Sequence, residues 1–192
     1  MEHTDSDTAT TVGSRSIRKT QSHGRIGEAA VTAKCWMHGI AAYNTGGLRA
    51  NFGGSDLIID TADPKTKKLV QVKTGYSPTK DKVYLTQCKG DSDLSQDKFV
   101  SDFVVFVNID KKVGSTHNHD GKLSFEHLTF YVVPREAANN IYRDAVRSEH
   151  AKPLRTGGVR KLGNMSVTVT KEKMKAYLNA WRLIRTRGEN EA

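Results

Sequence analysis

The run Asp102-Phe103-Val104-Val105-Phe106-Val107-Asn108-Ile109 constrains the fold of this chain more than any other stretch. Successive side chains of a strand point to opposite faces, so a strand that stays apolar through its length buries both. It therefore needs packed material on each side, which a lone hairpin or a sheet with one wet face does not supply.

The surrounding patterns supply candidates for those layers. Ser22 is placed to cap a helix running to about His38 or Ala42. Ile26, Ala30, Ala33, Met37 and Ile40 form one apolar stripe of that helix, with Val31 and Cys35 on another side together with Glu28. Apolar residues on two sides predict a sandwiched helix. Two strand-type runs follow a Gly-rich stretch, Ser55–Thr61 and Lys68–Thr74, with Ala62-Asp63-Pro64-Lys65 reading as a tight turn between them. That loop sets Asp56 opposite Gln71. Leu128–Val133 reads as another strand, and Arg135 to His150 as a helix with Ala137, Ile141, Ala145 and Val146 buried. Met165–Val169 reads as a short strand. Thr170 is placed to cap a last helix to about Arg187, with Met174, Tyr177, Leu178, Trp181 and Ile184 inward. The sum is an α/β layered domain, with a central sheet flanked by helices.

At 192 residues, with 36% hydrophobic and 27% charged, the chain suits one domain and is neither collagen-like nor wholly disordered. Residues 1–22 are polar and read as a flexible leader, 23–187 as the domain, and 188–192 as a tail. No stretch approaches the roughly 18 apolar residues of a membrane span, and no secretory signal is visible. With only Cys35 and Cys88, a disulfide framework is not expected, which points to a reducing, cytoplasmic setting. The formal net charge is +9, and residues 143–187 hold 12 bases against 3 acids. Clustered cations of this kind are the footprint expected for phosphate backbones, or a solvated basic face with no partner.

Chemistry concentrates on the hairpin. Gln71 and Lys73 are two apart on a strand and so project together, while Val72 points into the layer beneath. Asp56 joins them from the neighbouring strand, and Glu28 can arrive from the first helix. Two carboxylates, an amide oxygen and an amine suit metal-assisted phosphodiester hydrolysis, because magnesium takes hard oxygen ligands together with water and substrate phosphate. A lysine among carboxylates is expected to keep its charge and to orient water or phosphate.

Gly27-Glu28, Gly54-Ser55-Asp56-Leu57-Ile58-Ile59-Asp60 and Val70-Gln71-Val72-Lys73-Thr74 together resemble the PD-(D/E)XK nuclease superfamily, which includes restriction endonucleases and archaeal-type Holliday-junction resolvases. The resemblance covers roughly residues 24–150. It implies a single restriction-endonuclease-like domain with a mixed sheet, and a metal-dependent DNA endonuclease using Mg²⁺ or Mn²⁺. In that scheme Asp56 matches the metal-binding aspartate, Lys73 the lysine, and Glu28 the first-helix glutamate of resolvase-like members. Gln71 stands where an acid is usual, a variant that some members share, and the main-chain carbonyl of Val72 also faces the metal. Gln71 still offers an oxygen, without the charge. Relatives that cut two strands often act as dimers, which makes a homodimer one candidate assembly and leaves the oligomeric state open. DNA is the expected partner, with no membrane and no small-molecule cofactor.

Tyr76, Ser77, Lys80 and Lys82 follow the lysine strand and are candidates for holding nucleic acid, or for an ordinary polar loop. Arg155, Arg160 and Lys161 are candidates for backbone contacts, which position without reading sequence. Cys35, His38 and Cys88 lack the spacing of a zinc site. His117, His119 and His127 fall in or near a Gly- and Asp-rich stretch that reads as a solvated loop. The alternative functional class is a nucleic-acid-binding protein that keeps the fold without cleaving; a structural or interaction protein with a basic face is a third.

Overall fold

The computed structural model describes residues 10–45, 54–60, 66–90, 96–110, 124–152, 163 and 165–185. They form a mixed α/β domain. Helix α1 (Thr10–Met37) leads into β1 (Ala42–Asn44), β2 (Leu57–Asp60), β3 (Lys67–Tyr76), β4 (Lys82–Cys88), β5 (Phe103–Ile109) and β6 (Leu128–Pro134). Helix α2 (Arg135–His150), β7 (Met165–Thr170) and the one-turn helix α3 (Lys171–Met174) follow. Five strands make one sheet in the order β1-β2-β3-β5-β6, and β4 pairs with β7 in a second, two-stranded sheet. Within the larger sheet β3 and β5 are parallel, and the other neighbours are antiparallel. Among the described residues no helix is long and apolar enough to cross a membrane.

Strand β5 is buried at every position, as its composition requires. Its odd residues, Phe103, Val105 and Val107, join a core beneath α1 with Val70, Val72, Val132 and Trp181. Its even residues, Val104 and Phe106, join a second core with β4, β7 and α2. One apolar strand thus seals both layers, through the two-residue alternation of its side chains.

Helix α2 has the expected bounds, but its buried face is turned by about a residue. Ala138, Asn139, Tyr142, Ala145 and Val146 are inward, while Ala137 and Ile141 are partly buried at the flank. Asn139 belongs inside because its amide closes both hydrogen-bonding groups of the Phe99 backbone, at 2.9 Å each. A buried polar side chain is tolerated when both its donor and its acceptor are used.

Three expectations are corrected. Helix α1 begins at Thr10 rather than near Ser22; no proline falls between these positions to stop it. It is also not sandwiched. Gly27, Ala30, Val31 and Cys35 form its buried face, whereas Met37 is 71% exposed. Finally, the chain after Thr170 is not one helix. It passes through α3 and two 3₁₀ turns, Lys175–Tyr177 and Trp181–Leu183. Leu178 is extended and bridges to Tyr131, and Asn179 takes the left-handed conformation (φ 49°) while its N–H donates to the Phe130 carbonyl. Asparagine tolerates that conformation better than most residues. The break turns Trp181 and Ile184 into the core under α1. The proposed turn at 62–65 lies outside the described residues, as do residues 1–9 and 186–192.

Candidate active site

The site begins where β2 stops. Strand β2 pairs with β3 only from Lys67 to Val70, while β3 continues to Tyr76 beside β5 alone. The register, with Leu57 opposite Val70, carries Asp56 opposite Gln71 as expected. The Asp56 N–H donates to the Val70 carbonyl at 2.9 Å, the last ladder bond between the two strands. The next outward-facing amide of β3, Val72 N–H, has no strand partner on that side. It donates instead to Asp56 Oδ2 at 2.6 Å. This bond holds the aspartate at the mouth of the gap. A strand residue directs its N–H and C=O to the same side, so the Val72 carbonyl also faces the gap.

Gln71 and Lys73 share a face of β3, beside Val104 and Phe106 of β5. Glu28 arrives from α1. Gly27 makes this approach possible, because its α-carbon lies against the Thr74 side chain with no room for a methyl group. Glu28 Oε2 then accepts a hydrogen bond from Asn44 Nδ2 at 3.1 Å, which ties it to β1. Asp56, Lys73 and Glu28 each lie within the others' electrostatic reach.

The balance of forces on the two charged groups of β2 and β3 is set by burial. Desolvation raises the Asp56 carboxyl above its usual range; the Val72 amide and Lys73 oppose this, and Glu28 adds to it. Desolvation also lowers the Lys73 ammonium, against the pull of Asp56, and Lys98 and Lys89 push the same way as burial. The expectation that neighbouring carboxylates would hold Lys73 in its charged form is therefore reversed in direction. The carboxylates are present, but removal of water outweighs them.

Two buried side-chain atoms of this region have no hydrogen-bond partner among the described residues, Gln71 Oε1 and Thr74 Oγ1. An unpaired buried carbonyl oxygen costs about 1–3 kcal/mol. Such an atom, on the residue opposite Asp56, has the chemistry of a hard-cation ligand, since a hard cation takes neutral and charged oxygens alike. Among the described residues no three His, Cys, Asp or Glu side chains gather as a metal-binding group.

The other expected residues divide. Tyr76 Oη hydrogen-bonds His23 Nε2 at 2.9 Å, with the rings edge to face. Ser77 Oγ donates to Asn108 Oδ1, and Asn108 also grips both backbone groups of Tyr84, so Ser77 belongs to the seam between β5 and β4. Lys80 is exposed and lines a pocket of about 320 Å³ with Asp110 and Lys171. Lys82 opens β4, opposite Thr170. Arg155, Arg160 and Lys161 lie outside the described residues, as do His117 and His119. Cys35 and Cys88 are buried in different cores, on opposite faces of the sheet, so they share no ion. Burial pushes the Cys35 thiol up to about 12.

Sequence reasoning missed His23, Asn44 and Lys98. His23 is one turn before Gly27 on the same helix, a spacing that was open to view. Asn44 and Lys98 reach the site only through chain folding and carry no local signal.

No family profile and no curated protein matches the chain. Among solved structures, a bacterial homing endonuclease, I-Ssp6803I, is similar at 17% sequence identity and a TM-score of 0.46, over 90% of this chain and 99% of that one.

Proposed function

We propose that this chain is a metal-dependent DNA endonuclease of the PD-(D/E)XK type. One observation carries the reading: a buried Gln71 oxygen with no hydrogen-bond partner among the described residues sits on the residue opposite Asp56, where β2 stops, and Asp56 has Glu28 and Lys73 in electrostatic reach. Asp56, Glu28, Gln71 Oε1 and the Val72 carbonyl would hold Mg²⁺ or Mn²⁺. When bound there, a divalent cation supplies charge stabilisation to the scissile phosphate. Lys73 orients the attacking water or a phosphate oxygen. The Val72 amide fixes Asp56, so that the carboxylate does not reorganise as charge develops. DNA as substrate follows from the phosphodiester chemistry and from the net charge of +9, concentrated in residues 143–187.

Gln71 favours a second reading, since it leaves the site one negative charge short of the usual acid. In that reading the protein binds nucleic acid without cutting. Incubation with duplex, single-stranded and branched DNA, with Mg²⁺, Mn²⁺ or chelator, separates the two. The endonuclease reading expects cleavage of at least one substrate with metal, none with chelator, and none by Asp56→Asn. Binding without cleavage of any substrate by the wild-type chain selects the second.

A further inference from the structure

A second basic site stands apart from the hairpin. The segment after α3 is fastened to the core by Ala180, Trp181 and Ile184, each at most 7% exposed. Alongside these anchors the chain presents Lys175, Arg182 and Arg185 to solvent, around a cleft that also holds His38. The cleft is built rather than a loose fringe of charge. The His38 ring stacks on Trp181, with centroids 5.6 Å apart and planes 24° apart. The Arg185 guanidinium donates to the His38 carbonyl at 2.5 Å, which ties the segment after Ile184 to the residue that follows α1. Among the described residues no carboxylate lines the cleft. Glu172 approaches Lys175 at 3.7 Å from outside it, with both side chains largely in water. The field is positive enough to be felt by His38, whose proton affinity is lowered first by burial and then by Arg185 and Lys34.

We propose that this cleft binds backbone phosphates of duplex DNA, up to one for each of Lys175, Arg182 and Arg185, at a distance from the phosphate that is cut. The proposal rests on the endonuclease reading for the identity of the polyanion. Trp181 is too buried to stack on a base, so the site grips backbone and reads no sequence. Nine residues of α1 separate Glu28 from Met37, a rise of about 14 Å. This corresponds to about four base pairs along B-DNA. The hairpin and the cleft would therefore contact different phosphates.

The test is a salt titration of binding to a short duplex, measured by fluorescence anisotropy with chelator present so that no cleavage occurs. Each phosphate neutralised adds about 0.9 to the slope of log K against log salt. Lys175→Gln/Arg182→Gln/Arg185→Gln should lower the slope by up to about 2.7. Between 50 and 200 mM salt, wild-type binding should then weaken about 40-fold more than binding by the variant. Because Arg185 also braces His38, Lys175→Gln/Arg182→Gln is the companion variant; it leaves that bond intact and should lose up to about 1.8. An unchanged slope in the companion variant, with its circular dichroism unaltered, overturns the proposal. So does a wild-type chain that binds no duplex DNA, or cleft-dependent binding that is tighter for duplex RNA. A cleft-dependent slope in a protein that never cuts DNA would keep this site and reject the endonuclease reading. Cutting with an unchanged slope would do the reverse.

Discussion

Gly27 of α1 lies so close to Thr74 of β3 that a β-carbon placed on it would fall 1.8 Å from Thr74 Oγ1. The Thr74 β-carbon and methyl group would be at 3.0 and 3.2 Å, so rotation of the hydroxyl alone cannot make room. The helix is thereby set at a fixed depth on the strand that carries Gln71 and Lys73. Glu28 is the next residue, and its reach into the gap depends on this contact.

Gly27→Ala should accordingly damage the site although it touches no reacting group. Overpacking costs about 1–3 kcal/mol, and the better helix propensity of alanine returns at most about 1 kcal/mol. The variant should unfold at lower urea, with cleavage reduced further than its stability explains. Adding Thr74→Ala removes two of the three clashing atoms and should restore part of both. Gly27→Ala with unaltered stability and cleavage would show that the helix can shift freely, and would detach Glu28 from the site.

Lys73 gives a pH-dependent stability with a definite sign. Its folded pKa is lowered from the ordinary 10.5. Below the folded value both states hold the proton, and no linkage arises. Between the folded value and 10.5 the unfolded chain holds a proton that the native chain has lost, so native stability rises with pH in that window. Lys73→Met lacks this gain. Urea unfolding of the two proteins from pH 7 to 10.5 should show the stability of the variant falling relative to wild type as pH rises. A constant difference would mean that Lys73 titrates as it does in water.

Much of this arrangement was legible in the sequence, and the reasons are specific. The two-sided burial of β5 follows from Phe103 to Val107 having no polar alternation. The pairing of Asp56 with Gln71 follows from the spacing across the 61–66 connection, because register is counted in residues. Strand β4 was overlooked although Val83 and Leu85 alternate with Lys82, Tyr84 and Thr86; the Pro78 turn before it drew the reading toward a loop. The break after Met174 has no local signal, since Lys171 to Arg187 carries good helical periodicity. It is imposed by tertiary contacts, the Tyr131–Leu178 bridge and the burial of Trp181. The reversed sign on Lys73 was out of reach for the same reason. Burial is a property of the whole fold, whereas the neighbouring carboxylates were visible in the motif.

Asp56 should set the acid limb of cleavage. Burial raises its carboxyl above the ordinary 3.8, and only the ionised form is a strong cation ligand. Activity should therefore fall with acidification at a midpoint above 3.8. The midpoint should move down as Mg²⁺ is increased, since the cation competes with the proton. Initial rates across pH at several Mg²⁺ concentrations give both readings. Asp56→Asn should lose at least about 10³-fold, as expected for removal of several kcal/mol of transition-state stabilisation. Its DNA affinity in chelator should be unchanged or higher, because a negative charge near phosphates has gone. A midpoint independent of Mg²⁺ would separate the acid limb from metal binding.

Gln71 separates metal affinity from fold stability. Its Oε1 is buried without a partner among the described residues, a strain that the apo protein bears and that a bound cation would relieve. Gln71→Met keeps similar volume and removes the orphan. It should raise the melting temperature measured in chelator, while losing the further rise that Mg²⁺ gives the wild type. A ligand that binds only the native state stabilises by RT ln(1 + [L]/Kd), so at 100 Kd the lost increment is about 2.7 kcal/mol. Gln71→Glu should behave in the opposite way. Without metal, a third carboxylate crowds Asp56 and Glu28 and should lower stability. With metal, a charged oxygen replaces a neutral one, and the calorimetric Kd for Mg²⁺ or Mn²⁺ should tighten. Opposed responses of the two variants, reversed by adding or removing metal, would identify Gln71 as a ligand. If both variants responded to Mg²⁺ as the wild type does, the orphaned oxygen would be a packing defect and the metal would have to be held elsewhere.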